Sequence, residues 1–126
     1  EESAPNPISL YGKTKLINEI ISESYTHKHS LHSIGLRFFT VYGPYGRPDM
    51  AYYKFSKKIK ENLKIKIYNK GNMSRDMTYI DDIIQGIKLA IQAKNLNNTH
   101  EIFNLGNTKP INTMDLLSLI ESHYKT

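Results

Sequence analysis

Tyr11 and Lys15 stand four residues apart in the stretch Tyr11-Gly-Lys-Thr-Lys15. On an α-helix that spacing puts both side chains on one face, one turn from each other. A free phenol titrates at about 10 and is a poor base near neutral pH. An ammonium group one turn away favours the phenolate. Tyr-x-x-x-Lys is therefore the smallest form of an acid/base device. It is equally the ordinary start of a surface helix with a half-buried tyrosine, and spacing alone leaves both open. Two other sets of residues could carry chemistry. His27, His29 and His32 form a His-x-His-x-x-His pattern, but they straddle a helix end and suit solvated cap residues better than a metal site. Asp81 and Asp82 resemble paired carboxylates, and a helix N-cap accounts for them better.

The elements that must position Tyr11 and Lys15 follow from pattern. Ser9 can cap a helix running to about His29, with Leu16, Ile17, Ile20 and Ile21 on one side. His27, Lys28 and His29 fall in its last turn, where cations suit the helix dipole. Ser33 to Tyr42 reads as one strand, rich in β-branched and aromatic residues. Gly43 to Asp49 is a loop by its Gly and Pro content. Met50 to Asn62 reads as a helix and Lys64 to Tyr68 as a short alternating strand. Asn69 to Ser74 turns, and Arg75 to Ile80 is extended. Asp81 or Asp82 then caps a helix whose apolar side carries Ile83, Ile84, Ile87, Ala90 and Ile91. Glu101 to Leu105 is a strand, and Asn112 or Thr113 caps a last helix with Leu116, Leu117 and Ile120 inward. Alternating helices and strands imply an α/β fold with a parallel or mixed sheet.

Composition narrows the class. At 126 residues, 39% hydrophobic and 23% charged, the chain is one ordinary globular domain or part of one, with a modest core. Cysteine is absent, so disulfides and Cys-based metal sites are excluded. This agrees with a cytoplasmic setting. There is no membrane-spanning apolar run and no visible signal peptide. The net charge is +5, from 17 Lys and Arg against 12 Asp and Glu, and suits an anionic partner. Much of the excess lies in Lys54 to Lys66, as expected of a solvated helix face. The neighbouring Tyr45, Tyr52, Tyr53 and Phe55 imitate a base-stacking patch. No nucleic-acid or membrane partner is expected.

Four stretches then stand in order: Tyr11-Gly-Lys-Thr-Lys15, Gly35-Leu-Arg-Phe-Phe-Thr-Val-Tyr-Gly-Pro-Tyr-Gly-Arg-Pro-Asp-Met-Ala51, Ser74-Arg-Asp-Met-Thr-Tyr-Ile-Asp-Asp-Ile83 and Phe103-Asn-Leu-Gly-Asn107. With these the chain resembles the extended short-chain dehydrogenase/reductase superfamily, and within it the NAD-dependent sugar-nucleotide epimerases and dehydratases. The second stretch is similar to the UDP-glucuronate 4-epimerase branch, found in capsular-polysaccharide gene clusters. The resemblance implies that Tyr11 is the catalytic base, taking the proton from the sugar 4-hydroxyl while hydride moves to NAD. It implies that Lys15 holds the nicotinamide ribose and favours the phenolate. Phe38 would pass the nicotinamide, although Phe38 and Phe39 serve equally well as core aromatics. Thr40 is similar to the residue that hydrogen-bonds the sugar carboxylate. Arg47 would lie at the acidic-substrate and uridine side, and Arg75 would pair with the UDP diphosphate. A guanidinium is a natural bidentate partner for either anion. The bland alternatives are an exposed loop charge for Arg47 and a surface pair with Asp76 for Arg75. Asn104 and Asn107 suit turn geometry. In the family, the basic aromatic stretch is a helix of the substrate-binding domain.

The departures matter as much. No Gly-x-Gly-x-x-Gly turn to grip a pyrophosphate is present. Nor can the family's acidic residue for the adenosine ribose, or the Ser/Thr that completes its triad, be placed. The chain therefore resembles a C-terminal part of a family member: a partial Rossmann-like fold lacking the N-terminal dinucleotide-binding half. Residues 1–45 would be the tail of the NAD-binding domain with the catalytic helix, and 46–126 mostly substrate-binding. Three expectations follow: a UDP-sugar substrate, little activity from this part alone, and self-association or pairing with the N-terminal half. Another nucleotide-sugar epimerase or dehydratase, or a non-catalytic binding module, stands as the alternative.

Overall fold

The computed structural model describes residues 4–94 and 99–124. In chain order they form α1 (Leu10–His29), β1 (Ser33–Phe38), β2 (Thr40–Tyr42), α2 (Ala51–Lys60), a 3-10 turn at Tyr68–Gly71, β3 (Ser74–Arg75), β4 (Met77–Tyr79), α3 (Ile80–Gln92), β5 (His100–Leu105), β6 (Ile111–Asn112) and α4 (Thr113–Tyr124). They fall into two compact units, Glu1–Phe38 with Ile84–Leu105, and Phe39–Ile83 with Gly106–Thr126.

In the first unit β1 and β5 pair in parallel, from Ser33 opposite His100 to Phe38 opposite Leu105. Helix α1 lies against both strands. It starts where Ser9, in extended conformation, accepts a hydrogen bond from the Gly12 N–H at 3.0 Å. It ends at Ser30, in the left-handed region (φ 51°), whose N–H reaches the Thr26 carbonyl. The face turned to the sheet is largely polar. Thr26, only 2% exposed, shares a 2.6 Å hydrogen bond with Ser33, and Ser33 another of 2.6 Å with His100 Nδ1. The side expected to be buried is instead open: Ile17, Ile20 and Ile21 are each more than half exposed.

In the second unit β2 and β4 pair in parallel, with Thr40 opposite Met77, and β3 and β6 pair antiparallel, with Arg75 opposite Ile111. Helix α2 packs on α4, and each contributes one buried side chain, Phe55 and Leu117. Asn112 caps α4 by accepting from the Met114 N–H at 2.8 Å.

Three sequence expectations need correcting. The run from Ser33 to Tyr42 is two strands, because the chain leaves β5 after Phe38 and the Thr40 N–H turns to the Asp76 carbonyl, 3.1 Å away. Lys64 to Ile67 forms no strand: the alternation is there, but a ladder needs a neighbour, and Asn69 and Lys70 at positive φ wind the chain into a turn. Asp81 and Asp82 do not cap α3, which begins one residue earlier. They lie in its first turn, where carboxylates suit the dipole.

Candidate active site

Helix α1 presents Tyr11, Lys15 and Glu19 at successive turns. All three line an open hollow of about 820 Å³ in the first unit, together with Pro7, Gly12, Leu16, Leu36, Arg37, Phe38 and His100 among others. The Lys15 ammonium lies over the Tyr11 ring, 5.3 Å from its centroid, in cation–π range. The Tyr11 ring itself is 72% exposed, so its hydroxyl is open to a ligand. Gly12 permits the close passage of the preceding segment: a Cβ there would stand 2.8 Å from Pro7 Cβ. The Thr14 hydroxyl donates to the Tyr11 carbonyl at 2.8 Å and is turned into the helix backbone, away from any chemistry of its own.

Behind this surface Glu19 and Arg37 form a two-pronged ion pair. Arg37 Nε donates to Glu19 Oε1 and Nη2 to Oε2, each at 2.7 Å. The guanidinium fork holds the Glu19 carboxyl below the usual carboxylate range, mainly through that hydrogen bond. The pair ties α1 to β1 one turn beyond Lys15. Sequence reasoning passed over both residues. The available signal was a charged Arg37 inside the otherwise apolar run Ile34 to Phe39, which obliges a partner.

The remaining expected residues lie in the second unit. Thr40 opens β2, with its N–H on the Asp76 carbonyl. Arg75 is exposed on β3. The expected alternative, a pair between Arg75 and Asp76, is not what the structure holds: the Asp76 carboxylate accepts from the Thr78 hydroxyl at 3.0 Å and from the Asn107 N–H at 2.8 Å. Arg47 is three-quarters exposed in the loop after β2 and makes a forked pair with Asp49, its Nε 2.9 Å from Oδ1. That pairing lowers the Asp49 pKa and displays the geometry in which Arg47 meets a carboxylate. Arg47 lines a second hollow, of about 300 Å³, with Phe39, Tyr42, Tyr45 and Met50. Thus Tyr11, Lys15 and Phe38 meet in one unit, and Thr40, Arg47 and Arg75 belong to the other. Among the described residues no cluster of His, Asp or Glu is placed to hold a metal ion, and His27, His29 and His32 are exposed.

A family model described as the NAD dependent epimerase/dehydratase family matches residues 1–106. An uncharacterised protein of Methanocaldococcus jannaschii is 51% identical over 123 residues, covering 98% of this chain and 37% of its own length. UDP-glucuronate 4-epimerase 1 of Arabidopsis thaliana is 42% identical over 132 residues, covering 94% of this chain and 31% of its own. The crystal structure of UDP-glucuronic acid 4-epimerase from Bacillus cereus, in complex with UDP-glucuronic acid and NAD, matches with a TM-score of 0.91 at 35% identity. That match covers 100% of this chain and 40% of the other. The chain spans well under half the length of these relatives, and its α/β architecture is the corresponding part of a Rossmann-like fold.

Proposed function

We propose that this chain, which belongs to the NAD dependent epimerase/dehydratase family, carries the proton-transfer and substrate-holding residues of a UDP-sugar 4-epimerase. The substrate is UDP-glucuronate, the product UDP-galacturonate, and the cofactor NAD. The observation that carries the proposal is the Lys15 ammonium seated over the exposed Tyr11 ring at the edge of one hollow. The hollow fits the nicotinamide end of NAD: Leu16, Leu36 and Phe38 offer apolar wall, and Lys15 offers donors to ribose hydroxyls. When bound, NAD supplies the acceptor for the hydride of the sugar C4 and gives it back to the opposite face.

The chain's own residues do the rest. The Tyr11 phenolate oxygen takes the proton of the sugar 4-hydroxyl as C4 becomes a ketone, and returns it when the alcohol re-forms. The Lys15 ammonium holds ribose hydroxyls and offsets the phenolate charge. Phe38 flanks the cofactor ring. Thr40 hydrogen-bonds the uronate carboxylate, Arg47 serves the acidic-substrate and uridine side, and Arg75 pairs with the diphosphate. With no glycine-rich turn among its 126 residues, the chain by itself would hold NAD weakly and turn over little substrate. The open face of Ile17, Ile20 and Ile21 suits a second copy of the chain. A cytoplasmic enzyme of this kind supplies a uronic-acid donor for capsular or other surface polysaccharide.

The test is Tyr11→Phe in the NAD-loaded protein, assayed for UDP-galacturonate. The rate is expected to fall about 10²–10⁴-fold, the usual contribution of a positioned acid/base, with bound NAD unchanged. Full activity would sink the mechanism. Faster turnover of UDP-glucose than of UDP-glucuronate would move the assignment to a neutral-sugar epimerase.

A further inference from the structure

Asp76 lies at the centre of the second unit's polar network, beside two residues assigned above to the substrate. Its main-chain oxygen accepts from the Thr40 N–H at 3.1 Å, and Arg75 precedes it in the chain. Its Oδ1 accepts from the Thr78 hydroxyl at 3.0 Å and the Asn107 N–H at 2.8 Å. The Asn107 N–H also lies 3.0 Å from Thr78 Oγ1, and Asn107 Oδ1 accepts from the Thr108 N–H at 2.7 Å. Thr78 is only 5% exposed, so water competes poorly for this cluster. One residue away, Gly106 lies flat on the Phe39 ring: a Cβ there would be 2.3 Å from Phe39 Cδ2. Three chain segments, at 39–40, 75–78 and 106–108, therefore close on a single carboxylate.

We propose that Asp76 is a positioning residue for the substrate. It touches neither sugar nor diphosphate. Its side chain, anchored on Thr78 and Asn107, orients the Asp76 peptide so that its carbonyl meets the Thr40 N–H while Arg75 projects from the adjoining strand. The spacing between the sugar-carboxylate donor and the diphosphate cation is thereby fixed. A network in which every donor has its acceptor holds such a spacing more tightly than an exposed ion pair between Arg75 and Asp76 would. The inference rests on the substrate roles assigned to Thr40 and Arg75.

The test is calorimetric titration of the NAD-loaded protein with UDP, which reports the diphosphate side, and with UDP-glucuronate, which reports both sides. Asp76→Ala strands two donors and is expected to weaken UDP-glucuronate about 20-fold and UDP about fivefold, with NAD affinity within about twofold. Asp76→Asn retains an acceptor oxygen and is expected to stay within about threefold of wild type. Should Asp76→Ala fail to fold, Thr78→Val carries the test, with UDP-glucuronate about threefold weaker and NAD unaffected. Wild-type affinity in Asp76→Ala, or equal loss of NAD and UDP-glucuronate, overturns the proposal. Thr40→Val and Arg75→Ala separate the two levels. If they weaken binding and Asp76→Ala does not, only the positioning role falls. If neither weakens it, the substrate assignment falls and takes this inference with it.

Discussion

Breaking the Glu19–Arg37 pair should loosen the helix that carries Tyr11 and Lys15. The pair is two-pronged, with both donor–acceptor distances at 2.7 Å and the side chains 22% and 31% exposed. An exposed ion pair contributes about 0–1 kcal/mol, and a hydrogen bond to a charged group about 1.5–3 kcal/mol. Partial burial places this one between, at about 1.5 kcal/mol of coupling. Arg37→Met leaves a half-buried carboxylate without its fork and is expected to cost about 2 kcal/mol, a fall in Tm of roughly 6–8 °C for a chain this size. Glu19→Gln and the double variant complete a thermodynamic cycle by urea denaturation at pH 7. The pH dependence has a definite sign. The Glu19 carboxyl titrates below its ordinary value when folded. Its contribution is therefore fully present above about pH 4.3, the unfolded value, and is lost as pH falls through the folded one. The wild-type advantage over Glu19→Gln should shrink between about pH 5 and pH 3. A coupling energy below about 0.3 kcal/mol, or an advantage that grows on acidification, would refute the reasoning.

Three further outcomes are expected. Gly106→Ala drives a methyl into the Phe39 ring and should cost about 1–3 kcal/mol by thermal denaturation, with Phe39→Leu recovering part of it in the double variant. Arg47→Ala should raise KM for UDP-glucuronate about tenfold, as loss of a charge-assisted contact does, while KM for UDP-glucose changes less. Ile17→Lys with Ile21→Lys should leave a monomer by light scattering at micromolar concentration where the parent chain self-associates, and an unchanged mass would remove α1 as the contact face.

What could be read beforehand was local. Ser9 as a cap, the helix it starts and the Tyr11-to-Lys15 turn are set by residues within four positions of each other, the range over which helix chemistry acts. The parallel β1–β5 pair follows from alternating elements. What escaped needed a distant partner. Glu19 and Arg37 are 18 positions apart, and Asp76 and Asn107 are 31 apart. Nothing in either spacing says that they meet. Asp76 was expected beside Arg75 because neighbours of opposite charge attract, but two donors already committed to the interior compete better for a carboxylate than a solvated guanidinium does. The break at Phe39 was hidden for a related reason. A strand's identity depends on what pairs with it, and Ser33 to Tyr42 is one β-prone run that serves two partners.

The most direct measurement uses UDP-glucuronate bearing deuterium at C4 of the sugar, incubated with the NAD-loaded protein and followed by NMR. The prediction is UDP-galacturonate that keeps its deuterium at C4 in ordinary water, since the same hydride leaves and returns while only the Tyr11 proton exchanges. UDP-galacturonate carrying hydrogen at C4, or no UDP-galacturonate at all, would contradict the account.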